Sequence, residues 1–365
     1  MKKKDQAYKT LILLFWALML LLSVFITFKT TSQEKNDYYD KQIEASNLAL
    51  DAMNKIKEYK ISSGIGLSKD DNYECGMIGE RYTFITTTMG LLEAKRTSCN
   101  PNFAAMIIDM FRNANVREGD EVAIVTSGSF PALNISVTAA CQVMNLKVCY
   151  MASIGASSYG ANNLDFTYFD MYQYLYQEHI FKYPLNYVSL GGGNDTGNDM
   201  EEDVKKPIIE RIKASNVTFI HEDDYETNVK KRKEYILKAC PNLKLFINVG
   251  GSLVSMGRDE ASFIDKKGLV MPNYLNRISN YSRDKLGLID IFLEMNVPII
   301  QILNIKGLAL QYGISYNPTE IPSIGSGDMY YQTNYNLMIP IIGLVVSVGI
   351  LVFYLLEKFR KKERG

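Results

Sequence analysis

The chain predicts an α/β fold: an open, mostly parallel, Rossmann-like sheet with helices on both faces, flanked by one N-terminal and one C-terminal transmembrane helix. Three observations predict it. Buried-strand patterns alternate with helical patterns through residues 121–303, the order that builds a parallel sheet by right-handed crossovers. Gly- and Ser-rich turns follow the strands, where such sheets bind their ligands. Uncharged apolar runs, residues 11–28 and 337–356, bracket this region. Each approaches the roughly 20 helical residues that cross a bilayer core.

The first run has Lys2, Lys3, Lys4 and Lys9 on its terminal side, and the second has Lys358, Arg360, Lys361, Lys362 and Arg364. The positive-inside rule then places residues 1–10 and the basic tail 357–365 in the cytoplasm, with the chain between the spans outside it. A cleaved signal peptide fits the first run less well than a retained anchor. The run exceeds the ~7–15 residues of a signal h-region, and no small-residue cleavage pattern follows it. Pro340 falls in the first turn of the second span, where a missing N–H costs least. Tyr330, Tyr331 and Tyr335 precede that span, at the depth where amphipathic rings favour the membrane interface. An extracytoplasmic domain has no ATP or NADH pool, so nucleotide-driven chemistry and a dinucleotide cofactor are not expected.

Taken in order, residues 29–60 read as a membrane-proximal amphipathic helix with Ile43, Leu48, Leu50, Met53 and Ile56 roughly on one face. Gly64 and Gly66 end it, and the α/β domain follows over 61–330. A polar stretch, 68–75, leads to Gly76-Met-Ile-Gly79 and a β-prone segment, 82–88. Asn100-Pro101 opens a helix over 102–115, with Phe103, Met106, Ile107 and Met110 at core-facing spacing. Strand 121–126, the turn Ser127-Gly-Ser-Phe-Pro131, helix 132–146 and strand 147–151 compose one βαβ unit. Strand 187–190, loop 191–197, helix 201–215 and strand 217–220 compose a second. Helix 226–239 leads to strand 243–249 and loop 250–252, and helix 284–295 leads to strand 297–303.

Charge and cysteine content narrow the function. The chain carries 40 basic and 40 acidic residues. Nine of the basic ones but only three of the acidic ones lie at the cytoplasmic ends, which leaves the rest about six charges negative. Nucleic-acid binding needs concentrated Lys and Arg, and a broad polyanion-binding groove would meet like-charge repulsion. The densest basic cluster, Lys230-Lys-Arg-Lys233, reads as a solvated helix face after Glu222-Asp-Asp224. Five cysteines are too few for a disulfide scaffold. Cys141 and Cys149 read as small core hydrophobes, whereas Cys75 and Cys99 sit in polar contexts and leave a bridge between them open. With His179 and His221 as the only histidines, neither a zinc site nor a Ser-His-Asp triad has much to draw on, and no metal is expected.

Four strand-ending loops are rich in Gly, Ser and Asn: 126–131, 152–163, 191–195 and 250–252. Their backbone N–H groups and small polar side chains suit a carboxylate-bearing ligand. The simpler reading of any one loop is a tight βα turn, with Ser129 or Asn134 as a helix cap. The ligand-binding candidates are Ser127, Gly128, Ser129, Asn134, Ser157, Ser158, Asn162, Gly192, Asn194, Asp195, Gly251 and Ser252, with Lys95 and Arg96 from an earlier segment. Ser129 occupies a strand-to-helix turn, but Pro131 stands where a nucleophile elbow has its last Gly. Ser129 and Asp195 are the catalytic candidates, and no base neighbours Ser129 in sequence. Asp195, Asp199 and Glu222-Asp-Asp224 could ligate a hard cation, yet lack EF-hand spacing and read more simply as surface charge or caps. Gly191-Gly-Gly193 lacks the dinucleotide fingerprint.

Several segments resemble the poly-gamma-glutamate system proteins, an accessory family of bacterial poly-gamma-glutamate capsule or polymer loci. The resemblance rests on Gly76-Met-Ile-Gly79, Ile85-Thr-Thr-Thr-Met-Gly90, Leu92-Glu-Ala-Lys-Arg-Thr97, Asn100-Pro-Asn-Phe-Ala-Ala105, Ser127-Gly-Ser-Phe-Pro-Ala-Leu-Asn134, Gly155-Ala-Ser-Ser-Tyr-Gly-Ala-Asn162, Phe166-Thr-Tyr-Phe-Asp-Met171 and Leu190-Gly-Gly-Gly-Asn-Asp-Thr-Gly197. It implies a membrane machine that ligates glutamate and exports the polymer, with an amide ligase and small membrane proteins as partners. It supplies no catalytic residues. The expectation is an accessory protein in the lipid bilayer whose outer domain binds a glutamate-like ligand, a polymer end or a partner subunit. An exported amide hydrolase or transferase is the alternative, and a pure scaffold the third.

Overall fold

The computed structural model describes residues 2–258, 267–272 and 283–363; Arg364 of the basic tail lies outside them. The chain forms two compact units, one of residues 37–330 and one of residues 1–36 with 331–365.

The chain opens with α1 (Lys2–Lys29) and β1 (Ser32–Lys35), which belong to the smaller unit. The larger unit begins with α2 (Tyr39–Ser62), β2 (Thr86–Thr88), α3 (Leu92–Ser98), α4 (Asn102–Asn113), β3 (Glu121–Ser127), α5 (Pro131–Val143) and β4 (Lys147–Ser153). Three two-residue strands follow, β5 (Ala156–Ser157), β6 (Asn162–Asn163) and β7 (Phe166–Thr167), and then α6 (Tyr168–Gln177). β8 (Tyr187–Ser189), α7 (Glu202–Lys213), β9 (Thr218–Phe219), α8 (Tyr225–Ala239), β10 (Leu243–Val249) and α9 (Leu253–Met256) continue the unit. It closes with β11 (Gly268–Val270), α10 (Leu288–Glu294), β12 (Ile299–Ile302) and α11 (Ile305–Gln311). β13 (Tyr331–Asn334) and α12 (Met338–Glu363) return to the smaller unit.

The larger unit is built on a seven-stranded sheet in the order β11-β12-β10-β3-β4-β8-β9. Every neighbouring pair is parallel except β11 with β12. The β3 and β4 sequences are almost continuously apolar, as strands covered on both faces must be. Successive residues alternate between two cores. Val122 and Ile124 join a cluster with α2, α4, α5, α6 and α7, whereas Ala123 and Val125 join one with α8, α9 and α10. Local signals mark the helix starts. Pro131 takes the first turn of α5, the Asp224 carboxylate caps α8 on the Thr227 N–H at 2.9 Å, and Thr167 with Asp170 boxes α6.

α2 differs from the expected membrane-proximal segment: it belongs to the α/β unit and packs on α4 and α5. Ala45, Ala49 and Ala52 are wholly buried along that seam; of the expected apolar face Met53 and Ile56 are buried, while Ile43, Leu48 and Leu50 are only half-buried. Small residues at helical spacing allow the close approach, and a search for large apolar side chains overlooks them. Gln42 of α2 donates to the Met329 carbonyl at 2.7 Å, and Ser46 bonds the Tyr330 hydroxyl at 2.9 Å, so the beginning and end of the unit meet.

In the smaller unit, β1 and β13 pair antiparallel, Ser32 opposite Asn334 and Lys35 opposite Tyr331. α1 packs on α12, and Phe28 meets Tyr335 edge-on at 5.9 Å. Thr10–Lys29 and Met338–Leu356 are long and apolar enough to cross a membrane.

Candidate functional site: the polar crevice at the carboxyl edge of the sheet

Strand order locates the site. From β3 the chain builds outward to β4, β8 and β9, then returns to place β10 on the other side of β3. The loops after β3 and β10 therefore leave in opposite directions, and a crevice opens between them. They run so close that a Cβ on Gly250 would stand 2.5 Å from Ser127 Oγ. Gly250 has φ of 95°, a backbone that side chains disfavour. The loops after β4 and β8 close the crevice from the other side. A Cβ on Gly155 would meet the Gly192 nitrogen at 3.0 Å and Thr87 Cγ2 at 2.8 Å.

The result is a cavity of about 320 Å³ lined by Thr87, Thr88, Ser127, Ser129, Ser153, Gly155, Gly191, Gly192, Gly193, Asp195, Asp199, Gly251, Ser252 and Leu253. All four loops singled out in the sequence contribute. Of the candidates, Ser127, Ser129, Gly192, Asp195, Gly251 and Ser252 line it. Others act behind the wall. Asn134 donates to the Ser127 carbonyl at 2.8 Å and fixes the end of β3. Gly128 packs against the Ile154 carbonyl and donates its N–H to the Gly155 carbonyl at 3.1 Å. The Ser157 N–H donates to Ser129 Oγ at 3.0 Å, which spans the β3 and β4 loops. Ser158 is fully buried, and Asn194 adopts a left-handed backbone in the third loop without lining the cavity.

Three candidates fall elsewhere. Asn162 bonds both main-chain groups of Glu80 and the Thr86 hydroxyl, and it faces a separate cavity. Arg96 donates to the Asp70 carbonyl at 2.9 and 3.2 Å, a loop-bracing contact. Lys95 is 1 % exposed and contacts the wall from within: its Nζ bonds the Ser129 carbonyl and, at 2.7 Å, Ser157 Oγ, and lies 3.7 Å from the Phe130 ring centre. Burial pushes its pKa down to about 7.

Two aspartates give the cavity different electrostatics. The Asp195 carboxylate accepts from Ser189 Oγ at 2.8 Å and Asn228 Nδ2 at 3.3 Å, and it pairs with the Arg232 guanidinium. Arg232 also bonds Asn228 Oδ1 at 2.9 Å. Both charges of the pair are buried and matched, so Asp195 serves as a neutralised part of the wall. Asp199 is exposed, accepts the Gly193 N–H at 2.7 Å and forms no ion pair among the described residues. Six hydroxyls, from Thr87, Thr88, Ser127, Ser129, Ser153 and Ser252, complete the lining, and no Lys, Arg or His is part of it. This lining suits a small polar ligand with a cationic group for Asp199 and acceptors for the hydroxyls.

Catalytic activation is weak. Ser129 Oγ is bonded to a main-chain N–H, and no side-chain base bonds it among the described residues. Asp195 is committed to Arg232. Thr87, Thr88, Ser153 and Asp199 complete the set of polar groups on the wall. The β-prone Thr run and Asp199 are visible in the sequence, but only the tertiary fold brings them to the crevice.

The fold and crevice define a class: an α/β domain with a polar switch-point cavity, carried on a chain with two long apolar terminal helices. No protein-family model, curated protein or solved structure matches the chain.

Proposed function

We propose that the chain is an accessory membrane protein of bacterial poly-gamma-glutamate synthesis or export. In this reading α1 and α12 cross the cytoplasmic membrane with both ends inside, and the α/β domain lies outside. Its cavity binds a glutamate-like ligand, either free or as the end of the polymer. The observation that carries the ligand reading is the convergence of four Gly- and Ser-rich loops on one cavity with a single unpaired carboxylate. An α-amino acid matches that lining: its ammonium pairs with Asp199, and its carboxylates accept from the surrounding hydroxyls. The pathway rests on the resemblance of the segments between Gly76 and Gly197 to the poly-gamma-glutamate system proteins, and the placement on the basic residues outside each span.

Calorimetric titration of the detergent-solubilised chain with L-glutamate and short γ-glutamyl peptides tests the reading. Saturable binding is expected, weakened about tenfold or more by Asp199→Ala, since a charge-assisted contact contributes roughly 1.5–3 kcal/mol. Absence of binding to either ligand, or binding indifferent to Asp199→Ala and Gly251→Trp, overturns it. Ser129→Ala separates accessory from enzyme: polymer length and attachment in cells should stay unchanged, whereas an amide hydrolase or transferase would lose its processing.

A further inference from the structure

Cys75 and Cys99 lie 24 residues apart in sequence, yet their sulfurs are 2.8 Å apart. Unbonded carbon atoms keep about 3.5–4.0 Å between them, so these sulfurs are packed closer than ordinary contact. Each is held from its own side. Cys75 follows a turn organised by Asp71, whose carboxylate accepts the Cys75 N–H at 3.1 Å and the Gly76 N–H at 2.8 Å and lies 3.3 Å from Cys75 Sγ. Cys99 caps the carboxyl end of α3. Both are buried thiols in the structure. Cys141, Cys149 and Cys240 are also buried thiols; Cys149 and Cys240 are neighbours, but no sulfur–sulfur contact like that of Cys75 with Cys99 joins any of the three among the described residues. Burial raises the Cys99 pKa well above its ordinary value, which slows attack once α3 has docked and favours oxidation during folding.

We propose that Cys75 and Cys99 are an oxidative modification site, closing as an intrachain disulfide when the domain meets an oxidising compartment. The oxidant is a thiol–disulfide donor, either a protein or a small disulfide. Cys75, as thiolate, attacks one sulfur of the donor and expels the other as a thiolate. Cys99, deprotonated in turn, attacks the Cys75 sulfur of the mixed disulfide and expels the second donor thiolate. The pair loses two electrons and two protons, and the donor is reduced to two thiols. The bond would tie the turn after α2 to α3, the helix that carries Lys95 against the cavity wall. The chemistry needs no ligand in the cavity. Only its occurrence in cells rests on the outward placement of the domain.

The test unfolds the full chain in detergent, refolds it in mixtures of reduced and oxidised glutathione, alkylates free thiols and maps peptides by mass spectrometry. The expected product is a linked peptide containing Cys75 and Cys99, two hydrogens lighter than the thiol pair and absent from the Cys99→Ser variant. Cys141, Cys149 and Cys240 should be recovered alkylated. Recovery of Cys75 and Cys99 as free thiols under oxidising conditions, or linkage of either to another cysteine, overturns the proposal. Alkylation of the chain in intact cells then reads the compartment. A disulfide there supports the whole inference, whereas a pair that closes in vitro but stays reduced in cells overturns the compartment clause.

Discussion

Lys95 holds its nitrogen between the Ser129 carbonyl and the Ser157 hydroxyl, against the face of Phe130, and burial takes its pKa to about 7. The unfolded chain keeps a lysine proton up to about pH 10.4. Above pH 7 the unfolded state therefore binds more protons than the folded one, and stability rises with pH. Between pH 7 and 8 the gain is about 1 kcal/mol from this group. Urea midpoints over that interval should rise for the native chain and lose most of the rise in Lys95→Met. Asp290 titrates lower and with the opposite sign. Burial raises its carboxyl to about 6, so its contribution falls as pH climbs from about 4 to 6 and does not blur the lysine test. Asp195→Ala should cost roughly 3–5 kcal/mol in urea unfolding, because Arg232, 2 % exposed, would keep its charge without a counter-ion. Sequence reasoning picked out Lys95 and Asp195 by type. It assigned them to the ligand because a linear chain does not show that one side chain ends behind the wall and the other is taken by a cation 37 residues away.

Helices and strands that repeat apolar residues at 3.6 or 2 residues were legible within a few residues, as the match of 102–115 with Asn102–Asn113 and 226–239 with Tyr225–Ala239 illustrates. Elements without that periodicity were not. α6 is Tyr168-Phe-Asp-Met-Tyr-Gln-Tyr-Leu-Tyr-Gln177, whose aromatic content favours strand, and its one start signal is the Thr167/Asp170 box. The two-residue strands β5, β6 and β7 are too short to show any pattern. β5 pairs with β2 and brings Thr86 opposite Ala156. At this scale the glycines of adjoining loops are the weak points. Gly128→Ala would place a methyl 2.5 Å from the Ile154 carbonyl, which is backbone and cannot swing aside. A loss of roughly 1–3 kcal/mol in thermal unfolding is expected, together with weakened ligand binding as the β3 and β4 loops separate.

The order of strands in the sheet is a property of the whole molecule, and it was not legible. Periodicity predicted parallel βαβ units, but whether β10 lies beyond β9 or beside β3 depends on which edges bury the most surface once all elements are present. That choice makes the crevice, since only a reversal between β3 and β10 sends their loops apart. Residues 37–330 carry both cores and the entire cavity. Expressed without the flanking segments, they should fold on their own and show a cooperative circular-dichroism melt.

That excised domain should nevertheless melt earlier than the full chain, and the reason lies in the short ladder between Ser32–Lys35 and Tyr331–Asn334. The ladder and the α1–α12 pair hold the two ends of the domain's chain together whether or not the domain is folded. Unfolding within the full chain yields a closed ring instead of a free polymer. Ring closure over some 300 residues removes roughly 5 kcal/mol of conformational entropy from the unfolded state, about 10 °C in melting temperature for a domain of this size. The terminal helices thus act as a non-covalent staple on the two ends of the chain that folds between them.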